Sequence, residues 1–208
     1  MVERRDRRSL RLRGYDYSQP GMYFVTICTQ GRGLLFGDVV EGKMMVNQMG
    51  WTIEEEWLKT PTLRSYVVLD EFVVMPNHFH AILMIVSEGR GTWPMEKPGR
   101  SRAPTMEQFG KPVSGSLPTI IRSFKSAVTK RVNDLRGPPG LPVWQRDYYE
   151  HIIRDEDSLR RIRDYILTNP LRWELDQENP ARRGEDEFDR WLASLPRKDA
   201  RARRRRLG

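Results

Sequence analysis

Two apolar stretches, residues 66–75 and 81–86, are joined by Pro76-Asn77-His78-Phe79-His80, and this junction constrains the fold more than any other feature of the chain. Pro76-Asn77 is a turn signal, and the β-branched and aromatic residues on either side favour strands, so the two stretches predict an antiparallel pair. Asp70-Glu71 interrupts the first of them as a polar break. Side chains alternate along a strand, so His78 and His80 share a face with Cα atoms about 6.6 to 6.8 Å apart, while Phe79 points the other way. That spacing lets both imidazoles reach one cation. Taken alone, however, a His-x-His pair is more often a hydrogen-bonded part of a core.

The rest of the chain supplies partners for this pair of strands. Residues 22–29 are β-branched and aromatic after Pro20-Gly21 and predict a first strand. Residues 34–46 suggest a small hairpin around Glu41-Gly42, and Asn47 is placed to cap a helix running to Leu58, with Pro61 as its stop. Leu117, Ile121, Phe124, Val128 and Leu135 recur at helical spacing, with Arg122, Lys125, Ser126, Thr129 and Lys130 off that stripe. Residues 144–153 alternate as a last strand. A final helix follows, capped by Asp155 or Asp157 and buried through Leu159, Ile162 and Ile166. The order strand, helix, strand, strand, helix, strand predicts an α+β fold: a ferredoxin-like split βαβ antiparallel sheet with helices on one face, plus an extra C-terminal helix.

Length and composition allow one domain with a real core, assigned to residues 15–175. Residues 87–115 are rich in Gly and Pro without periodicity and are expected to be a flexible insertion. Charge is unevenly spread. Residues 1–14 carry six Arg against Glu3 and Asp6, and residues 197–208 carry seven Lys or Arg against Asp199. The two ends therefore hold +4 and +6 of a net +8, leaving −2 between them. They read as a basic N-terminal arm and, over residues 176–208, a charged C-terminal tail, suited to polyanions through sequence-independent contacts with phosphates. The longest apolar run is too short to cross a bilayer and no leader pattern follows the arginine-rich start, so a cytoplasmic protein without membrane partners is expected. Cys28 is the only cysteine, which excludes an internal disulfide and a thiolate zinc site.

On the final helix Tyr165 precedes Asn169 by four residues, so the two share a side. Asn169 offers an amide oxygen; docked on the histidine strand, this helix would bring a third ligand to a cation at His78 and His80, with Tyr165 one turn away. The competing reading makes Tyr165 a half-buried aromatic and Asn169 a helix end before Pro170. Three segments taken together resemble the single-tyrosine HUH transposases, and most of all the REP-associated tyrosine transposases of bacteria. They are Val74-Met75-Pro76-Asn77-His78-Phe79-His80, the stretch from Trp144-Gln145-Arg146-Asp147 to His151-Ile152-Ile153-Arg154, and Asp164-Tyr165-Ile166-Leu167-Thr168-Asn169-Pro170. The resemblance spans roughly residues 15 to 175; the 87–115 insertion and the arginine tail lie outside it.

That resemblance implies a metal-dependent DNA single-strand endonuclease and strand transferase acting on single-stranded or hairpin DNA. His78, His80 and Asn169 match its metal ligands, Tyr165 its nucleophile, and the last helix its catalytic helix. The implied product is a 5′-phosphotyrosine and a free 3′-hydroxyl, from which strands rejoin without ATP. The implied cofactor is Mg²⁺ or Mn²⁺, and two imidazoles suit the softer Mn²⁺ better. Arg122, Lys125, Trp144 and Arg146 are the candidates for phosphate contact or base stacking. Tyr148 and Tyr149 rank below Tyr165 because Ile152 and Ile153 occupy their i+4 positions, and His151 reads as a packed histidine. The sequence does not distinguish a monomer from a homodimer that exchanges the tyrosine helix. The main rival is a non-catalytic nucleic-acid-binding module of the same fold, a domesticated transposase; a two-histidine phosphoesterase would need a second His-x-Ser/Thr motif, which is missing.

Overall fold

The computed structural model describes residues 15–87, 113–137 and 140–195. The two basic arms and most of the 87–115 insertion lie outside the described residues. In the sheet, β1 (Gly21–Cys28), β4 (Val67–Met75), β5 (His78–Ile85) and β6 (Tyr149–Ile153) take the order β4-β5-β1-β6, and every neighbouring pair is antiparallel. With α1 (Gln48–Leu58) between β1 and β4, and α3 (Leu117–Arg136) between β5 and β6, this is the predicted split βαβ arrangement. A separate hairpin, β2 (Gly37–Val40) and β3 (Lys43–Val46), turns at Glu41 and Gly42, both at positive φ, the pairing that matches strand twist in a two-residue loop.

The helices sort by which face of the sheet they cover. Ile53 and Trp57 of α1, with Leu117, Ile120, Ile121, Phe124, Val128 and Val132 of α3, bury one face against Tyr23, Val25, Ile27, Phe79, Ala81 and Leu83. The opposite face, with Met22, Phe24 and Ile82, is covered by Leu159, Ile162, Tyr165 and Ile166 of α4 (Glu156–Thr168) and Phe188 of α5 (Glu187–Ser194). Both faces of β1 and β5 are therefore dry, which explains their nearly unbroken apolar character.

Several details refine the sequence reading. Asn47 caps α1, accepting hydrogen bonds from the backbone N–H groups of Met49 and Gly50. Pro61 does not end it; α1 closes at Leu58 and Pro61 opens a one-turn helix, α2 (Thr60–Leu63), as a residue without an N–H can at a helix start. The polar pair Asp70-Glu71 is not a break but a register shift within one continuous β4. On α3 the buried stripe ends at Val132, and Leu135 is exposed. Residues 176–194, read from the sequence as a charged tail, contain α5 and buried Asp176, Glu178, Asp186 and Phe188. Among the described residues no helix is long and apolar enough to cross a membrane.

Candidate functional site

His78 and His80 stand on the α4 face of β5, opposite Cys28 and Thr26 of β1. Both are buried, at 0% and 1% exposure. Their rings lie 4.4 Å apart, centroid to centroid. Asp155 caps α4 by accepting from the Ser158 N–H. Midway along the helix Arg163 donates from Nε and Nη2 to the two oxygens of Asp70, at 2.8 and 2.5 Å, in the bulge of β4. This fork anchors the helix two residues before Tyr165. The Tyr165 ring stacks on Phe188 at 3.8 Å and meets Phe24 edge-on, and its hydroxyl comes within 3.3 Å of His80 Nε2. The tyrosine helix thus docks on the histidine strand of its own chain.

After α4 the chain enters a 3₁₀ helix (Asn169–Leu175) that ends at Asp176, a residue absent from the sequence reading. Its Oδ2 accepts from the Tyr165 hydroxyl at 3.1 Å and from Asn169 Nδ2 at 2.9 Å, and lies 3.7 Å from His78 Nε2 and 3.9 Å from His80 Nε2. His78, His80 and Asp176 can each offer a ligand atom, all within 4.8 Å of one another. Asn169 lies beside them, donating to Asp176, its Oδ1 buried and without a hydrogen-bond partner; His78 Nε2 is likewise buried and unpartnered. Two imidazoles, a carboxylate and an amide oxygen, with two lone-pair atoms left open in a dry site, fit a divalent cation such as Mn²⁺ or Mg²⁺. Asp176 carries little sequence signal, since it sits beyond the last periodic helix in a polar stretch, Asp176-Gln177-Glu178-Asn179.

The electrostatics follow from burial. Desolvation pushes His78 down to about 3, with the charges of His80 and Arg32 adding to it and Asp176 opposing, so the ring is neutral near pH 7. Burial would raise Asp176, but the two histidines and the Asn169 amide hold its carboxyl well below the usual range. Tyr165 is pushed well above 10, first by burial and then by the negative charge of Asp176 and Asp189. The phenol is therefore firmly protonated in this arrangement. The site is also closed: Tyr165, Asn169 and Asp176 are at most 3% exposed. The covering segment is held by Arg32 against Glu178 at 3.1 Å and by Arg172 against Asp186 at 3.0 Å.

The other candidates lie elsewhere. Lys125, Trp144 and Arg146 border a shallow groove of about 460 Å³ on the α3 side of the sheet, together with Ser126, Thr129 and Lys130. Lys125 donates to the carbonyls of Gln145 and Arg146 at 2.6 and 2.9 Å, and burial brings its pKa down to about 8. Trp144 is buried against Phe36 and Phe124, a core position rather than an open stacking platform. Arg122 and Arg146 are exposed. His151 lies outside the group around Asp176, and burial lowers it to about 4, while Tyr149 packs at the edge of the Tyr165 cluster, edge-on to Phe24 at 6.2 Å.

No family model matches the chain. It is 40% identical over 171 residues to a protein of Haemophilus influenzae described as uncharacterized, a match covering 82% of this chain and 92% of that protein. It is 26% identical over 159 residues to another protein of the same organism, provisionally named a REP-associated tyrosine transposase, covering 76% and 74%. Among solved structures it is similar to a REP-associated tyrosine transposase bound to a REP hairpin, with TM-score 0.45, 20% identity and coverage of 85% and 83%. A provisionally named transposase from Deinococcus radiodurans R1 is similar at TM-score 0.41 and 18% identity, covering 74% of this chain and 93% of that one.

Proposed function

We propose that this chain, which belongs to one family with the Haemophilus influenzae protein it matches at 40% identity and which resembles the REP-associated tyrosine transposases, cleaves and rejoins single-stranded or hairpin DNA through Tyr165. One observation carries the reading. The Tyr165 hydroxyl lies within hydrogen-bonding distance of His80 and Asp176, inside the same buried group that leaves His78 Nε2 and Asn169 Oδ1 open.

Tyr165 would attack a backbone phosphorus in line: its oxygen forms the new P–O bond, the bond to the 3′-oxygen breaks, and the 3′-oxygen leaves as a hydroxyl. The phenol loses one proton and the leaving oxygen gains one, so the step is balanced without a cofactor being consumed. Attack by a second 3′-hydroxyl on the phosphotyrosine reverses it and joins strands. A Tyr hydroxyl held above its ordinary pKa is a poor nucleophile. His78, His80 and Asp176, with Asn169, would hold a divalent cation, Mg²⁺ or Mn²⁺, which when bound would supply positive charge favouring phenolate and offsetting the charge of the phosphate. Asp176 has a second task, accepting the phenol proton in a hydrogen bond that orients the ring. Because Tyr165 is buried beneath Phe188, a DNA strand reaches it only when the segment from Asn179 to Ser194, beyond the Asp176 turn, moves aside.

The test is covalent capture. The full chain, incubated with hairpin-bearing single-stranded DNA and Mn²⁺, is expected to form a denaturant-stable adduct that Tyr165→Phe abolishes. An adduct undiminished in that variant overturns the assignment. Hairpin binding without any adduct from the wild-type chain would favour the non-catalytic binding module.

A further inference from the structure

Resting on that reading of the histidine pair, we infer that Asn77 is a positioning residue that fixes His78 in the tautomer able to bind a cation and ties the Asp176 turn to the histidine strand. Asn77 is fully buried in the turn between β4 and β5. Its Nδ2 donates to the Arg32 carbonyl at 3.2 Å and to the Glu178 carbonyl at 2.7 Å, which uses both amide protons. The remaining atom, Oδ1, faces His78 Nδ1 at 2.9 Å, and a carbonyl oxygen can only accept. Turning the amide over would set its oxygen against two carbonyl oxygens and lose both of those bonds. His78 must therefore carry its proton on Nδ1. Its Nε2 is left with a lone pair, in line with that atom's being buried and unpartnered beside Asp176.

His80 is held differently. Its Nδ1 meets the Thr26 hydroxyl at 2.9 Å, and a hydroxyl can donate or accept. The single proton of the Tyr165 phenol goes to Asp176, so the 3.3 Å contact with His80 Nε2 is a hydrogen bond only when that nitrogen is protonated. In the metal-free arrangement a proton on His80 Nε2, with Thr26 donating to Nδ1, satisfies both contacts, and rotation of the Thr26 hydroxyl lets the tautomer switch. One histidine is preset and the other is adjustable. The carbonyl that Asn77 grips at Glu178 lies two residues past Asp176, so the same side chain also secures the carboxylate. The carbonyl it grips at Arg32 is presented by a left-handed backbone, Gly31 at φ 66° and Arg32 at φ 59°. Arg32 itself reaches the Gln177 carbonyl and the Glu178 carboxylate, both at 3.1 Å. These interactions hold a conformation that a non-glycine residue rarely adopts.

Long-range ¹H–¹⁵N spectra of the ¹⁵N-histidine-labelled full chain without metal read the tautomers directly, with His80→Gln and His151→Gln for assignment. The expected result is an Nδ1–H pattern for His78 and an Nε2–H pattern for His80. Asn77→Ala should lose the fixed His78 pattern and bind Mn²⁺, followed by electron paramagnetic resonance, roughly 10- to 100-fold more weakly. Asn77→Asp keeps an acceptor against Nδ1 and should keep the pattern, but its second oxygen cannot donate to the Arg32 and Glu178 carbonyls, so the tie to the Asp176 turn is lost. An Nε2–H pattern for His78 in the wild-type chain overturns the inference whether or not the variants fold. So does an Asn77→Ala variant that retains both the pattern and the wild-type Mn²⁺ affinity. If the wild-type chain bound no Mn²⁺, the metal reading of the histidines would fall, and the spectra would still decide the role of Asn77 in setting the tautomer.

Discussion

Asp176 is the residue on which the chemistry of the site turns, because its carboxylate faces every other functional group in it. Two roles are separable by one substitution. If Asp176 served only to accept a hydrogen bond from the phenol, Asp176→Asn would preserve it, since an amide oxygen accepts as well. If its charge helps hold a cation, the same variant should slow adduct formation by on the order of 100-fold, with Mn²⁺ binding weakened in parallel. Near-wild-type rates in Asp176→Asn would remove the carboxylate from the metal-binding set. Two buried histidines, one inside this group and one outside it, make a second prediction, this time for stability. His78 and His151 are lowered to about 3 and about 4, below the ordinary 6.5 that applies in the unfolded chain. Below pH 6.5 the unfolded chain takes up protons that the folded chain refuses. Stability is therefore complete above that pH and falls as pH drops toward the folded values, by up to about 1.4 kcal/mol per pH unit for each histidine. Asp189, raised to about 7, gains a proton over the same range and offsets about one histidine. Thermal melts with chelator present should therefore show a smaller net fall in Tm from pH 6.5 to pH 5, and a flat profile in an Asp189→Asn variant would contradict the burial of the two histidines.

The elements show what a sequence pattern can and cannot convey. Strand alternation put His78 and His80 on one face, and helical spacing put Tyr165 and Asn169 on one side, because both depend only on local geometry. Which face of the sheet α4 would choose is not local. The choice depends on α1 and α3 already filling the other face, and on the Arg163 fork to Asp70, whose partners are 93 residues apart. From the sequence Asp70-Glu71 looks like an interruption, whereas in the fold its bulge aims a carboxylate at the helix that carries Tyr165. Asp176 and Asn77 were illegible as site residues for a related reason. Each acts from an irregular segment, where no period marks a side chain as inward-facing, and each acquires its role from atoms distant in sequence. Phe188 is similar: within a charged stretch nothing distinguishes it, yet it forms the stacked lid of Tyr165.

On the scale of the whole molecule, charge and site are arranged in opposition. The chain between its two basic ends carries a net −2, and the segment over the site adds Glu178, Asp186 and Asp189 near Asp176. Burial together with those neighbouring acids pushes Asp189 up to about 7, a measure of how negative this corner already is. A DNA phosphate approaching it meets repulsion unless a cation is bound and unless attraction is supplied from elsewhere. The basic ends, at +4 and +6, are the largest source of such attraction, with the exposed Arg122 and Arg146 as lesser ones. Attraction of this kind acts by releasing counterions, so it sets the salt dependence of binding rather than the rate of the covalent step. Removing residues 197–208 should therefore flatten the plot of log K against log salt, by about 0.7 for each single-strand phosphate that the arm no longer neutralises. At saturating DNA the rate of adduct formation should stay within about twofold, because no reacting group lies in that segment. Fluorescence-anisotropy titrations across 50 to 300 mM salt measure the first quantity, and single-turnover adduct assays the second. An unchanged slope would shift the source of attraction from the C-terminal arm to the folded surface, where Arg122→Ala and Arg146→Ala would then be expected to carry it.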